Sequence, residues 1–195
     1  MRIVGGSLRG RRIEAPKGDA VRPTSDRARE TLFNMLASRV ALDGARVVDA
    51  FSGTGALGLE ALSRGAGHVI FLDRARASAD LTARNVAALG MGARARVCRV
   101  DATRPGPAPA PRCDLALLDP PYGQTLGERA MAALAGAGWL ANGALCVLEE
   151  RSDAMPHAVA GFSRDEVRRL GETSFGFWTF LGDGGPRQDG TEGRV

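Results

Sequence analysis

The chain has 195 residues, 44% of them apolar and 25% charged, with a formal net charge of +4. These values fit one soluble globular domain long enough to bury a substantial core. No apolar run approaches the roughly 18 residues of a membrane span, and the basic start lacks an apolar leader, so a cytoplasmic protein is expected.

Residues 2–14 read as two short strands around Gly5-Gly6 and Gly10, with basic side chains throughout. Arg22-Pro23-Thr24 breaks the chain. A helix is expected from about Asp26, with Ala28, Leu32, Met35 and Leu36 on one face. From Arg46 a strand–loop–helix pattern repeats. Val47-Val48 leads into a glycine loop and a helix through about Ser63. His68–Leu72 is a strand ending at Asp73, Ala75–Leu89 a helix stopped by Gly90, and Arg94–Val100 a strand ending at Asp101. The Pro-rich stretch 104–111 can only be a loop. Asp114–Leu118 reads as a central strand, Gly127–Ala137 as a helix and Ala144–Leu148 as a strand. Val167–Leu170 and Phe175–Leu181 read as an antiparallel pair. The expected organisation is a basic hairpin extension at 1–25, a main domain at 26–181 and a disordered tail at 182–195.

Strands alternating with helices imply an α/β fold with a mostly parallel sheet, and ligands then bind at the carboxyl ends of the strands. Asp49, Asp73, Asp101 and Asp119 each fall at such an end. One could be a helix cap, but four in step form a constellation.

Gly53-Thr54-Gly55-Ala56-Leu57-Gly58 is a literal G-x-G-x-x-G, a weak signal alone. With Asp73 placed 20 residues after Gly53 to grip ribose hydroxyls, the spacing equally fits a dinucleotide site. Asp49 discriminates: it would repel a pyrophosphate at the loop entrance and tolerate the cationic S-adenosylmethionine (SAM). Phe51, Gly53 and Gly55 are then candidate cofactor contacts. Asp101 can accept from the adenine amino group, with Ala102 supplying backbone polarity; a strand-end acid capping a turn is the plainer alternative.

Asp119-Pro120-Pro121-Tyr122, directly after an apolar strand, is the more specific signal. The two prolines stiffen the loop. An aniline-like base amine is a poor nucleophile, because its lone pair is delocalised. Acceptors on both N–H groups, here the Asp119 carboxylate and the Pro120 carbonyl, favour a pyramidal nitrogen and offset its developing charge. Tyr122 would stack on a base that is unpaired or flipped out. A Pro-Pro turn with a core tyrosine is the bland alternative. Together the two motifs point to methyl transfer from SAM to an exocyclic amine.

The charge is uneven. The first 40 residues carry nine basic and four acidic side chains, while the remainder carries 17 and 18. Basic clusters attract phosphate backbones, although a solvated arginine-rich surface reads the same way. Cys98, Cys113 and Cys146 lack metal-ligand spacing and are expected to be reduced thiols. His68 and His157 lie far apart, so no metal is expected.

At these motifs the chain resembles the bacterial 16S rRNA (guanine 966-N2)-methyltransferase family. The resemblance covers residues 2–181. It rests on Arg2-Ile3-Val4-Gly5-Gly6 with Arg9-Gly10-Arg11, on Arg22-Pro23-Thr24-Ser25-Asp26-Arg27 with Arg29 through Asn34, on Asp49 through Ala66, and on Asp119 through Tyr122. It implies a Rossmann-like methyltransferase sheet with a small N-terminal β-hairpin, SAM as methyl donor, and rRNA in a whole or partly assembled small subunit as substrate. On it Arg9, Arg11 and Arg12 contact phosphates, while Arg22 and Thr24 sit near the active-site mouth. Asp73 stands where many relatives have glutamate. The rivals are a DNA adenine-N6 or cytosine-N4 methyltransferase, which the lack of a separate target-recognition domain disfavours, an NAD-dependent oxidoreductase, and a non-catalytic RNA-binding module. A monomer is expected, because no long apolar helix face is left over.

Overall fold

The computed structural model describes residues 1–16 and 25–182. Seven strands form one sheet: β1 (Arg46–Ala50), β2 (His68–Leu72), β3 (Ala95–Cys98), β4 (Cys113–Leu118), β5 (Leu140–Arg151), β6 (Phe162–Leu170) and β7 (Thr173–Phe180). Their order is β3-β2-β1-β4-β5-β7-β6. β1 to β5 pair in parallel, and β7 runs antiparallel to both β5 and β6. Among the described residues the α-helices are α1 (Asp26–Leu36), α2 (Ala56–Ser63), α3 (Arg76–Ala88) and α4 (Leu126–Gly136). None of the described helices is long and apolar enough to cross a membrane.

The architecture follows the sequence pattern. Strand residues point alternately to the two faces, and two apolar cores result. One holds Val47, Val69, Phe71, Leu115 and Leu117 against α1, α2 and α3. The other holds Val48, Ile70, Ala116 and Leu118 against α4 and the indoles of Trp139 and Trp178. Cys113 and Cys146 are buried, Cys98 is partly so, and all three are free thiols. The expected pairing of the last two strands is present, but β5 and β6 are longer than their apolar runs suggest.

Two local expectations change. In α1, Ser25 caps the helix by accepting from Ala28 N–H at 3.1 Å. The face it buries is Arg29, Leu32, Phe33 and Leu36, with Ala28 and Met35 only half-buried. Arg29 is 0% exposed, and its guanidinium donates to Arg2 O at 2.5 Å and to Asp26 at 2.8 Å, so this arginine belongs to the interior rather than to a basic surface. At the N-terminus, the two strands reduce to one antiparallel bridge between Arg2 and Arg12, closed by a short 3-10 turn at Gly6–Leu8. Ile3 and Ile13 are buried. Val4 N–H donates to the buried Glu60 at 2.8 Å and Leu8 N–H to Ser63 at 2.9 Å. The segment thus roofs α2, which explains why every residue of that helix is buried.

The chain steps outwards from β1 to β2 and β3, then returns to place β4 on the other side of β1. The carboxyl ends of β1 and β4 therefore form the switch point, where open α/β sheets leave a crevice.

Candidate active site

At the switch point the sheet register sets Ala50 beside Leu118. The glycine loop leaves β1 and the Asp119-Pro120-Pro121-Tyr122 turn leaves β4, so motifs about 70 residues apart share one crevice. Two clefts open there, of about 450 Å³ and about 550 Å³, within the roughly 300–1,000 Å³ of ligand pockets. Both are lined by Phe51, Ser78 and Asp119.

The loop is tightly determined. Phe51 has φ +65°, rare for an aromatic residue, and it turns the chain sharply at the cleft floor. Gly55 has φ +78°, and a Cβ there would lie 3.0 Å from Thr82. Thr82 donates to Gly53 O at 3.0 Å, and Asn85, 1% exposed, donates to Thr54 O at 2.9 Å. Asn85 also exchanges hydrogen bonds with the Glu14 backbone, at 2.7 and 3.1 Å. One buried amide thus ties the loop to the N-terminal segment, whose Met1, Glu14, Ala15 and Pro16 line the first cleft.

Asp49 is 1% exposed and accepts from Gly58 N–H at 2.8 Å. Burial, aided by the charge of Asp73 and opposed by the Gly58 bond, pushes its carboxyl up to about 8. Asp73 accepts from Gly53 N–H at 3.0 Å and from Ala75 N–H at 2.8 Å, fastening the loop to the start of α3. Asp101 accepts from the Thr103 hydroxyl at 2.8 Å and its N–H at 2.9 Å; those bonds hold it below the usual carboxylate range. It therefore does cap a turn, while also lining the second cleft with Ala102, Asp73 and Asp119.

In the second motif Pro120 is buried, Asp119 half-buried and Tyr122 36% exposed. Pro120, Pro121 and Tyr122 line the second cleft. The Tyr122 hydroxyl donates to Glu149 at 2.8 Å, and Gly123 N–H donates to Glu150 at 3.1 and 3.2 Å. Burial, then the charges of Glu149 and Asp119, drive the phenol far above its ordinary range.

Of the basic residues singled out, Arg9, Arg11 and Arg12 are exposed. Arg11 donates to Ala88 O at 3.1 Å, at the end of α3, where a cation suits the helix dipole. Arg22 and Thr24 lie outside the described residues. Among the described residues no group of three His, Cys, Asp or Glu side chains is placed to hold a metal.

Sequence reasoning missed Asn85, Thr82, Glu149 and Glu150. The first two act across the fold and leave no local signal. The acid pair was legible, because it sits at a strand's carboxyl end like the four aspartates, but the apolar run stops at Leu148 and hides the strand's true length.

Asp49, whose carboxyl burial pushes up to about 8, adds no charge near neutral pH, so the sequence-based expectation that its charge repels a pyrophosphate does not hold in the free protein. Chemically, the linings gather Glu14, Asp73, Asp101 and Asp119 against Arg74 and Arg84. That excess of acids suits a cationic ligand better than a pyrophosphate.

Comparison with known proteins agrees. Residues 1–179 match the family model described as Conserved hypothetical protein 95. The chain is 38% identical over 176 residues to the ribosomal RNA small subunit methyltransferase D of Escherichia coli K12, covering 90% of this chain and 87% of that one. It is 35% identical over 156 residues to the Haemophilus influenzae protein of the same name, covering 78% and 80%. A solved Escherichia coli structure superposes with a TM-score of 0.79 at 35% identity, covering 92% and 97% of the two chains. An RNA methyltransferase from Salinibacter ruber, solved with S-adenosyl-L-homocysteine, shares the fold at a TM-score of 0.63 and 12% identity, covering 85% and 97%.

Proposed function

Because this chain belongs to the Conserved hypothetical protein 95 family, together with the ribosomal RNA small subunit methyltransferase D proteins, we propose that it methylates the exocyclic N2 amine of a guanine in small-subunit (16S) rRNA, guanine 966. Its cofactor is SAM, which supplies a sulfonium-activated methyl group. The observation that carries the reading is the meeting of the glycine loop and Asp119 at one switch point.

The residues divide the work. Gly53 and Gly55 let the backbone approach the cofactor, beside Phe51. Asp49 faces its cationic portion, Asp73 the ribose, and Asp101 with Ala102 the adenine. Asp119 lines both clefts, beside residues assigned to the cofactor in each and beside Tyr122 in the second, and so stands between the cofactor and the base. Its carboxylate and the Pro120 carbonyl accept from the target amine and turn the nitrogen lone pair towards the methyl group. Bound SAM would supply the electrophilic methyl: direct in-line transfer would form the N–C bond as the sulfonium S–C bond breaks, the neutral thioether would be the leaving group, and the amine proton would pass to solvent. Preorganised acceptors and alignment supply the rate, and no covalent enzyme intermediate is involved.

The choice of guanine over adenine or cytosine rests on the family resemblance. Tyr122 stacks on the extruded base. Arg9, Arg11 and Arg12 contact phosphates, and the protein acts as a monomer.

The test is transfer of labelled methyl from SAM to unmodified small subunits, naked rRNA and duplex DNA in parallel, followed by nucleoside analysis. N2-methylguanosine from the ribosomal substrates is expected. Methylated adenine or cytosine in DNA, with rRNA untouched, would overturn the assignment.

A further inference from the structure

Glu149 and Glu150 close β5, one strand over from the Asp119 loop, and each is only 4% exposed. Burying a carboxylate is costly unless specific donors satisfy it. Glu150 accepts from Gly123 and from Arg151 N–H at 2.8 Å, which pins the turn just after Tyr122. Glu149 takes the Tyr122 hydroxyl at 2.8 Å. The ring is thereby held at its far end, while its face stays in the cleft beside Asp119 and Pro121. A tyrosine at the tip of a Pro-Pro turn otherwise turns about its own side-chain bonds. A hydrogen bond from a hydroxyl to a buried carboxyl oxygen is directional, and here it is 2.8 Å long.

We propose that Glu149 is a positioning residue for the target base: by holding the Tyr122 hydroxyl it fixes the ring plane on which the base stacks, in register with Asp119. The inference rests on the base-pocket reading above. Glu149 acts through Tyr122 and touches no reacting atom. Burial and the nearby acids push the phenol further above an ordinary value that already leaves it neutral, so the ring is an uncharged platform across the working pH range. Misplacing a stacked base by an ångström is costly, because reaction rate depends steeply on the approach of nitrogen to methyl.

The experiment compares wild type with E149A, E149Q, Y122F and the Y122F/E149A double variant. Single-turnover methyl transfer to small-subunit rRNA at saturating SAM is measured beside SAM affinity. E149A and Y122F are each expected to slow transfer about tenfold, which is about 1.4 kcal/mol, with SAM affinity unchanged. The double variant falls no further than the slower single, as residues acting as one unit do. E149Q recovers most of the loss, because its amide oxygen still accepts. Tyr122 is the only tyrosine in the chain, so phenolate absorbance reports it alone, and its ionisation moves down towards the ordinary range in E149Q. Wild-type rates in both Y122F and E149A, or losses that multiply in the double variant, would overturn the proposal. Should E149A fail to fold, Y122F with E149Q decides: both at wild-type rate, with no shift in phenol ionisation, is the contrary result. A wild type that transfers no methyl to any base sinks the base-pocket reading and this inference with it; a wild type that transfers, with unaffected variants, sinks only this inference.

Discussion

Asp49 should make the free protein less stable in alkaline solution, and its replacement by asparagine should remove that liability. The carboxyl is 1% exposed and lies near 8 in the folded chain, against 3.8 in the unfolded one. The folded state therefore holds a proton that the unfolded state has released. For an acid raised in this way, stability is highest below the unfolded value and falls as pH climbs towards the folded value, then levels off. Between about pH 5 and about pH 8.5 the loss from this group alone is about 4 kcal/mol, at about 1.4 kcal/mol per unit. An asparagine side chain would keep an oxygen for Gly58 N–H and carries no charge at any pH. Urea unfolding of wild type and D49N at the two pH values measures the effect. The difference between the proteins should shift by about 4 kcal/mol in favour of D49N at the higher pH. A difference that is the same at both pH values would show that Asp49 is ionised in the folded protein, and would refute the reasoning.

Three further outcomes follow from named contacts. Asn85→Ala leaves the Glu14 and Thr54 backbone groups without their partner, so unfolding free energy should drop by about 2–4 kcal/mol and calorimetry should show weaker SAM binding. Gly58→Ala tests packing against propensity: alanine favours a helix by about 1 kcal/mol, but its Cβ would lie 2.3 Å from the Phe71 ring and 2.8 Å from Val69. Net destabilisation of about 1–3 kcal/mol is expected by thermal or urea unfolding. Replacing Arg9, Arg11 and Arg12 together by alanine should weaken RNA binding and reduce the slope of log affinity against log salt by about 2–3, while SAM affinity measured in parallel stays constant.

The parts of the site visible in the sequence were those with short-range causes. The glycines around Thr54 and the Pro-Pro turn after Asp119 carry their conformational reasons locally, and each aspartate marks the end of an apolar run. The mostly parallel sheet followed from strands alternating with helices, and the last two apolar runs gave the antiparallel pair, whereas the strand order came from the structure alone. What stayed hidden depends on partners distant in the chain. Asn85 matters because α3 lies against both Glu14 and Thr54. Arg29 counted as part of a basic cluster, although its helical phase with Leu32, Phe33 and Leu36 already placed it inward. Glu149 lies just beyond the apolar run of β5, where hydrophobicity no longer marks the strand. Arg22 and Thr24 fall outside the described residues, so their proposed place at the cleft mouth stands on the resemblance alone.

The central claim is that Asp119 holds the target amine at the methyl donor. Its most direct test is single-turnover methyl transfer by D119A at saturating SAM, with cofactor affinity measured on the same preparation. The account predicts a loss of about a hundredfold or more in transfer, with a much smaller fall in affinity. Transfer near the wild-type rate would contradict it and move the amine elsewhere in the cleft.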